Sequence, residues 1–208
     1  MLQTQTVEPG TFSILVELNE IPALKEFALV GGTALSLIFG HRISVDLDYF
    51  STSSFSNEDV IVALEKRYGP AFEMEKKPPH FGIFCFIKHT KVDIVRHPHP
   101  LIRPIHTIEG LRFFSLEDIV AMKVQAILGR GKKKDFWDIA ALLERFSVRD
   151  FVEFHRLKFK TNYMDISTPE SLTYFADAEE DQDPISLKGQ TWESVKDFIR
   201  GKVREYLL

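Results

Sequence analysis

Apolar and polar positions along the chain change period several times, and those changes divide it into elements. Residues 11–20 place apolar side chains at helical spacing, with Thr11 in the N-cap position. Residues 27–30 are a short apolar run that predicts a strand ending at Gly31-Gly32. Residues 33–39 predict a short helix whose N-terminus faces that turn, and residues 45–50 alternate as a strand does. Ser56 to Asp59 open a helix that runs to about Tyr68, where Gly69-Pro70 stops it. Three further strands are predicted at 71–75, 80–88 and 91–95, the last two forming a hairpin that turns near His89-Thr90. The proline-rich segment 96–100 ends the sheet.

The second half has helical periodicity throughout. Ser115-Leu116-Glu117-Asp118 has the form of a capping box opening a helix to about Leu128. Gly129-Arg130-Gly131 breaks it, and helices follow at 133–145, 148–159, 168–175 and 192–207. The expected class is therefore α+β. A small mixed β-sheet core with helices on one face (1–110) is followed by a helical region (111–208).

Composition narrows the class without deciding function. A hydrophobic fraction of 44% with 27% charged residues is that of a globular chain, and 18 phenylalanines predict an aromatic core. The single cysteine, Cys85, has apolar neighbours and no possible internal disulfide partner, which fits a reducing, cytoplasmic compartment. The first ten residues lack the basic and apolar regions of a secretory signal. The longest charge-free stretch, 27–40, is shorter than the roughly 20 residues of a membrane span. A net charge of −4 gives no global nucleic-acid signature, but the charges are segregated. Lys123, Arg130, Lys132, Lys133 and Lys134 form a basic run, while Glu170, Asp177, Glu179, Glu180, Asp181 and Asp183 form an acidic one. Each reads equally well as a solvated surface.

The candidate chemistry lies in Gly31-Gly32-Thr33 followed by Asp46-Leu47-Asp48. Paired glycines allow close backbone approach to a bound group, and a helix N-terminus beside them offers N–H groups to phosphate. Residues i and i+2 of a strand share a face, so Asp46 and Asp48 present two carboxylates together. Asp93, in an apolar strand where a lone carboxylate is costly, supplies a third if the two strands are neighbours. Three carboxylates suit magnesium, which takes oxygen ligands and shares them with substrate phosphates. On a second pair of helices, Lys123 can meet Asp135, with Asp138 on the same face as Asp135. That group reads either as an inter-helix salt bridge or as a phosphate contact with its orienting acids. His97 and His99 flank a proline and, with His89 and His106, lack zinc-like spacing, so they read as loop imidazoles. The glycine pair is not followed by the Gly-Lys-[Ser/Thr] of a P-loop.

The Gly-Gly-Thr and Asp-x-Asp pair resembles the signature of the DNA polymerase β-type nucleotidyltransferase superfamily. The longer string from Gly31 to Phe50, with Ser115 to Lys123 and Lys133 to Asp138, is similar to the AbiEii/AbiGii-type nucleotidyltransferases, toxins of abortive-infection toxin–antitoxin systems. Weaker similarity continues through Phe175–Glu179 and Trp192–Lys196. The resemblance implies that Gly31, Gly32 and Thr33 contact an NTP triphosphate and that Asp46 and Asp48 hold two Mg2+ ions. It implies that Asp93 activates the attacking hydroxyl, that Arg42 and Ser44 belong to the site, and that Lys123, Asp135 and Asp138 serve the phosphates. It further implies transfer of a nucleoside monophosphate to an acceptor, first of all a tRNA 3′ end, and an antitoxin partner, with no role for a membrane. Nucleotidylation of a protein hydroxyl and a non-catalytic nucleotide-binding module are the alternatives. The basic turn Lys132-Lys133-Lys134 reads as a solvated loop or as an RNA contact.

Overall fold

The computed structural model describes residues 1–74, 77–160 and 167–208. Its centre is a seven-stranded mixed sheet in the order β3-β4-β5-β2-β1-β7-β6. The strands are β1 (Ala28–Val30), β2 (Leu47–Ser51), β3 (Phe72–Met74), β4 (Gly82–Ile87), β5 (Thr90–Arg96), β6 (His106–Ile108) and β7 (Leu111–Phe113). The helices are α1 (Pro9–Glu20), α2 (Gly31–Phe39), α3 (Asn57–Tyr68), α4 (Leu116–Gly129), α5 (Lys133–Leu143), α6 (Val148–Lys158), α7 (Thr168–Thr173) and α8 (Trp192–Leu207). None of the described helices is long and apolar enough to cross a membrane. The predicted α+β class is the observed one. The last residue of the strand predicted at 71–75 lies outside the described residues.

The β2–β5 pairing decides where the chemistry falls. Leu47, Tyr49 and Ser51 of β2 are buried while Asp48 and Phe50 turn to the half-open face. β5 runs parallel to β2 with Asp48 opposite Asp93, and β1 runs antiparallel with Val30 opposite Asp48. β4 and β5 form the predicted hairpin, but its turn is Lys88-His89, both at positive φ (48° and 70°) as a tight two-residue turn requires.

Three local readings need correction. The first helix starts at Pro9, whose fixed φ suits the first helical position, with Glu8 at the N-cap. Thr11 is instead buried, its hydroxyl 3.0 Å from that of Thr90. The glycine pair is the first turn of α2 rather than a turn before it. The β6–β7 hairpin was not foreseen. Its turn is Glu109-Gly110, with φ of 50° and 82°, and β7 pairs parallel to β1. The sheet thus continues to Phe113, and the all-helical run begins at Leu116.

That run packs α4 against α5 and α6, and α8 against α5 and α7; α2 joins it to the sheet through α4 and α5. Aromatic side chains fill the space between. Phe113, Phe114, Phe136 and Phe151 are wholly buried, and Trp137 stacks on Trp192 at 5.6 Å between centroids. Ser147/Asp150 and Thr191/Ser194 form reciprocal capping boxes at α6 and α8, and each cap is worth about 1 kcal/mol over alanine. At α4 Ser115 accepts from the Asp118 N–H, but Asp118 does not reciprocate. Its wholly buried carboxylate accepts instead from Ile102 N, Arg103 N, Ser115 Oγ and Lys158 Nζ.

Candidate active site

Asp46, Asp48 and Asp93 line one cavity of about 260 Å³. Asp48 and Asp93 are side by side because their strands are in register, and Asp46 stands on the loop leading into β2. Thr33 fixes that loop: its Oγ1 donates to the Asp46 carbonyl and lies 2.9 Å from Ser44 Oγ. Both hydroxyls are buried, so Thr33, expected on the triphosphate, is committed to the loop. Ser44 reaches the cavity wall.

The glycine pair is required by crowding. Gly31 has φ of +72°, and a Cβ there would overlap the Asp48 carboxylate. A Cβ on Gly32 would overlap the Arg42 guanidinium. Both glycines border clefts of the site, Gly32 in this cavity and Gly31 in an adjoining one.

Crowding also sets the electrostatics. Burial, then repulsion from Asp93 and Asp46, pushes the Asp48 carboxyl up to about 6, with Lys123 and Lys91 opposing. Lys91, two residues before Asp93 on the same face of β5, donates to Asp93 Oδ2 at 2.6 Å. Its ammonium pKa is raised: burial acts against it, but the Asp93 hydrogen bond and charge outweigh that. Lys134 donates to Asp46 Oδ2 at 3.1 Å. Among the described residues no three acidic, His or Cys side chains close into a metal cage. The donor set nevertheless fits a divalent cation: three carboxylates share one wall, and the buried Asp93 Oδ1 accepts no hydrogen bond.

Behind this wall lies a second layer, centred on Asp138. Asp138 is wholly buried and accepts from Arg42 Nε (2.8 Å) and Nη2 (2.9 Å), from His41 Nε2 (2.8 Å) and from Lys123 Nζ. As an ionised acceptor it requires the proton on His41 Nε2. Burial opposes its charge, but Arg42 and Lys123, with the His41 hydrogen bond, hold its pKa well below the usual carboxylate range. Lys123 also donates to Asp135 Oδ1 at 2.8 Å. Its pKa is raised: burial works against the ammonium, and Asp135 and Asp138 overcome it. Lys123 and Asp135 border the cavity, so the salt-bridge and ligand-facing readings coexist in one group. Asp138 does not reach the cavity, and Arg42 faces it with a guanidinium already held by Asp138 and the Ile43 carbonyl.

The cavity lining counts six cations (Arg42, Lys91, Lys123, Arg130, Lys132, Lys134) against four carboxylates, a surplus suited to a polyanionic ligand. Lys133 is diverted. Its ammonium is 2.9 Å from Asp183, and Asp181 accepts from its backbone N–H at the start of α5. The acidic run thereby packs on the basic one.

A family model described as nucleotidyl transferase AbiEii toxin, type IV TA system, matches residues 13–205. The chain belongs to this family. It is a nucleotidyltransferase by that membership, and the AbiEii family also gives the toxin–antitoxin setting. A protein of Aquifex aeolicus (strain VF5), described as uncharacterized protein aq_aa25, is 32% identical over 192 residues, covering 88% of each chain. Among solved structures, JHP933 from Helicobacter pylori superposes with a TM-score of 0.58 at 18% identity, covering 99% of this chain and 93% of its own. MenT4, a nucleotidyltransferase toxin from Mycobacterium tuberculosis, gives 0.60 at 13% identity, covering 92% and 82%. At such identities these two likenesses are of fold.

Sequence reasoning missed Lys91 and His41 near this cavity, and it named Lys134 only as part of a basic turn, not as a partner of Asp46. Lys91 was within reach of the i, i+2 rule applied backwards from Asp93. His41 and the pairing of Lys134 carried no local signal, because the partners Asp138 and Asp46 are distant in sequence.

Proposed function

We propose that this AbiEii-family protein is a magnesium-dependent nucleotidyltransferase that moves a nucleoside monophosphate from an NTP to the 3′ end of an RNA, tRNA first. The observation that carries the reading is the single cavity in which Asp46, Asp48 and Asp93 face Lys123, Arg130, Lys132 and Lys134 beside Gly32. Asp46, Asp48 and Asp93 would hold the magnesium. When bound, the metal would supply charge neutralisation of the pyrophosphate and a lowered pKa for the attacking hydroxyl. Lys123, kept charged by Asp135, and Arg130 suit the triphosphate, and Asp138 acts as a positioning residue for Lys123 and Arg42. The hydroxyl oxygen of the acceptor attacks the α-phosphorus, the bond from that phosphorus to the β-phosphate oxygen breaks, and pyrophosphate leaves. The hydroxyl proton passes to Asp93, whose Oδ1 has a vacant acceptor site. In this scheme the sheet layer through Phe113 binds nucleotide and metal, and the helices from Leu116 complete the cleft. A protein antitoxin is the expected partner, and the cytoplasm the expected compartment.

The experiment incubates the protein with magnesium, each labelled NTP, and either total tRNA or cell protein. Label on tRNA that disappears in Asp46→Ala is the expected result. Label on protein alone transfers the proposal to protein nucleotidylation. NTP binding with neither acceptor labelled leaves a regulatory nucleotide-binding module and overturns catalysis.

A further inference from the structure

Outside the carboxylate cavity, the loop imidazoles His97 and His99 help to build an aromatic concavity. His97 and His99 converge with Phe50, Met122, Gln125 and Phe159 around a cleft of about 440 Å³, a size suited to a small ligand. The rings form a continuous set. His99 lies 4.6 Å from Phe159 between centroids, His97 lies 4.8 Å from His99, and Phe50 lies 6.0 Å from His97. From beneath, His155 approaches Phe159 at 5.1 Å and holds Gln125 Oε1 at 3.0 Å.

This cleft opens toward the site. A narrower cleft lined by Gly31, Asp48, Lys123 and Asp135 shares Phe50, Met122 and Ala126 with it. The strands give the spacing. Phe50 follows Asp48 by two residues on the same face of β2, about 7 Å along the strand. His97 follows Asp93 by four residues, about 13 Å away, and its backbone N–H continues the β2–β5 ladder by donating to Ser51 O. A ligand with its phosphates at Asp48 and Lys123 therefore meets Phe50 next and the His97–Phe159 rings after it. The opposite flank, where Val45, Lys132, Lys134, Asp183 and Ile185 line another cavity, presents no aromatic face.

We propose that the His97–His99–Phe159 cleft takes the nucleobase of the incoming NTP, stacked on these rings, with the ribose over Phe50. The assignment rests on the nucleotidyltransferase reading of the adjoining carboxylates. Burial, helped by Lys158 and His99, pushes the His97 imidazole down to about 3, so it is neutral at physiological pH. His97 lines the cleft and its buried Nε2 has no hydrogen-bond partner among the described residues; in this proposal a base edge supplies one. Aromatic stacking accounts for affinity, and this nitrogen for orientation.

The test measures equilibrium binding of each of the four NTPs and of inorganic tripolyphosphate to the full chain with magnesium and no acceptor. At least one NTP should bind the wild type about tenfold or more tightly than tripolyphosphate, the margin expected of base stacking. His99→Ala, at a half-exposed position, and Phe159→Leu, which keeps apolar volume, should each remove about tenfold from that NTP and leave tripolyphosphate unchanged. Equal affinity of the wild type for tripolyphosphate and every NTP overturns the base site while leaving the carboxylate site intact. Variants that bind NTP normally but raise the KM for tRNA overturn it in favour of the acceptor's terminal base. A wild type that binds neither NTP nor tripolyphosphate overturns the nucleotidyltransferase reading itself, and the base site with it.

Discussion

Asp48→Asn should make the metal-free protein more stable while abolishing transfer. Asp48 is forced beside Asp93 by strand register, and burial with neighbouring acids raises its pKa from 3.8 to about 6. The sign is the reverse of the usual paired carboxylate. Because the folded protein holds the proton more tightly than the unfolded chain, Asp48 costs nothing below about pH 4. Stability then falls as pH rises between about 4 and 6, and the full cost is present above 6. At about 1.4 kcal/mol per pKa unit the cost is at most roughly 3 kcal/mol. Solvent screening at this cavity-facing group reduces that to about 1–2 kcal/mol. Asparagine keeps the shape, removes the charge and can donate to Asp93. For a chain of this size about 2 kcal/mol corresponds to roughly 4–8 °C in Tm. The assay is thermal unfolding of both proteins at pH 4 and pH 8 in chelator, then with magnesium. The variant should gain at pH 8, match the wild type at pH 4, and lose most of the magnesium-dependent rise in Tm. A Tm at pH 8 below that of the wild type would refute the reasoning, because it would mean that Asp48 is stabilised rather than strained where it stands.

The layer centred on Asp138 behaves in the opposite way. Asp138→Ala leaves Arg42 and Lys123 as buried cations without their shared partner, and urea unfolding should show a loss of about 3–5 kcal/mol. Since the folded pKa of Asp138 is depressed, its contribution is present above the unfolded value of about 3.9 and disappears as pH falls through the folded one. The variant should therefore lack that acid-side decline, and a loss under 1 kcal/mol would contradict the network. Gly31→Ala should cost about 1–3 kcal/mol from the positive φ alone and more from contact with Asp48, with NTP binding lost; unchanged binding in a folded variant would show that the helix start tolerates a side chain. In the other buried pair, Asp118→Ala should destabilise more than Lys158→Met in parallel denaturation curves. The acid serves three further donors (Ile102 N, Arg103 N and Ser115 Oγ), whereas lysine's other contacts are the Pro100 carbonyl and the face of Phe114. Equal losses would contradict that asymmetry.

How much of this was legible in the sequence depended on whether a feature was local. The alternation around Leu47 and the apolar run around Asp93 correctly gave two strands, but Asp46, expected on the first strand beside Asp48, stands on the loop before it. The strands' side-by-side placement needed the parallel β2–β5 pairing across an intervening helix and two strands, which periodicity does not encode. The β6–β7 hairpin was missed for a different reason. Strands of three residues are too short to show a period of two, and only the Glu109-Gly110 dipeptide marked the turn.

Polar side chains near the site were the least legible, because a hydroxyl or guanidinium looks the same in sequence whether it serves a ligand or a neighbour. Thr33 and Arg42 stand in the motif as ligand-facing residues, yet Thr33 is spent on the Asp46 carbonyl, and Arg42 has Nε and both terminal nitrogens engaged by Asp138 and Ile43. The same motif that presents Asp46 and Asp48 thus also supplies the brace that holds them. Carboxylates on the cavity face have few protein partners beyond Lys91 and Lys134, whereas Asp138, one layer behind, accepts from Arg42, His41 and Lys123. That contrast has an energetic reason. A buried polar group must find its partner within the protein, while a charge that awaits a ligand must stay underpaired, and the raised pKa of Asp48 is the mark of the second kind.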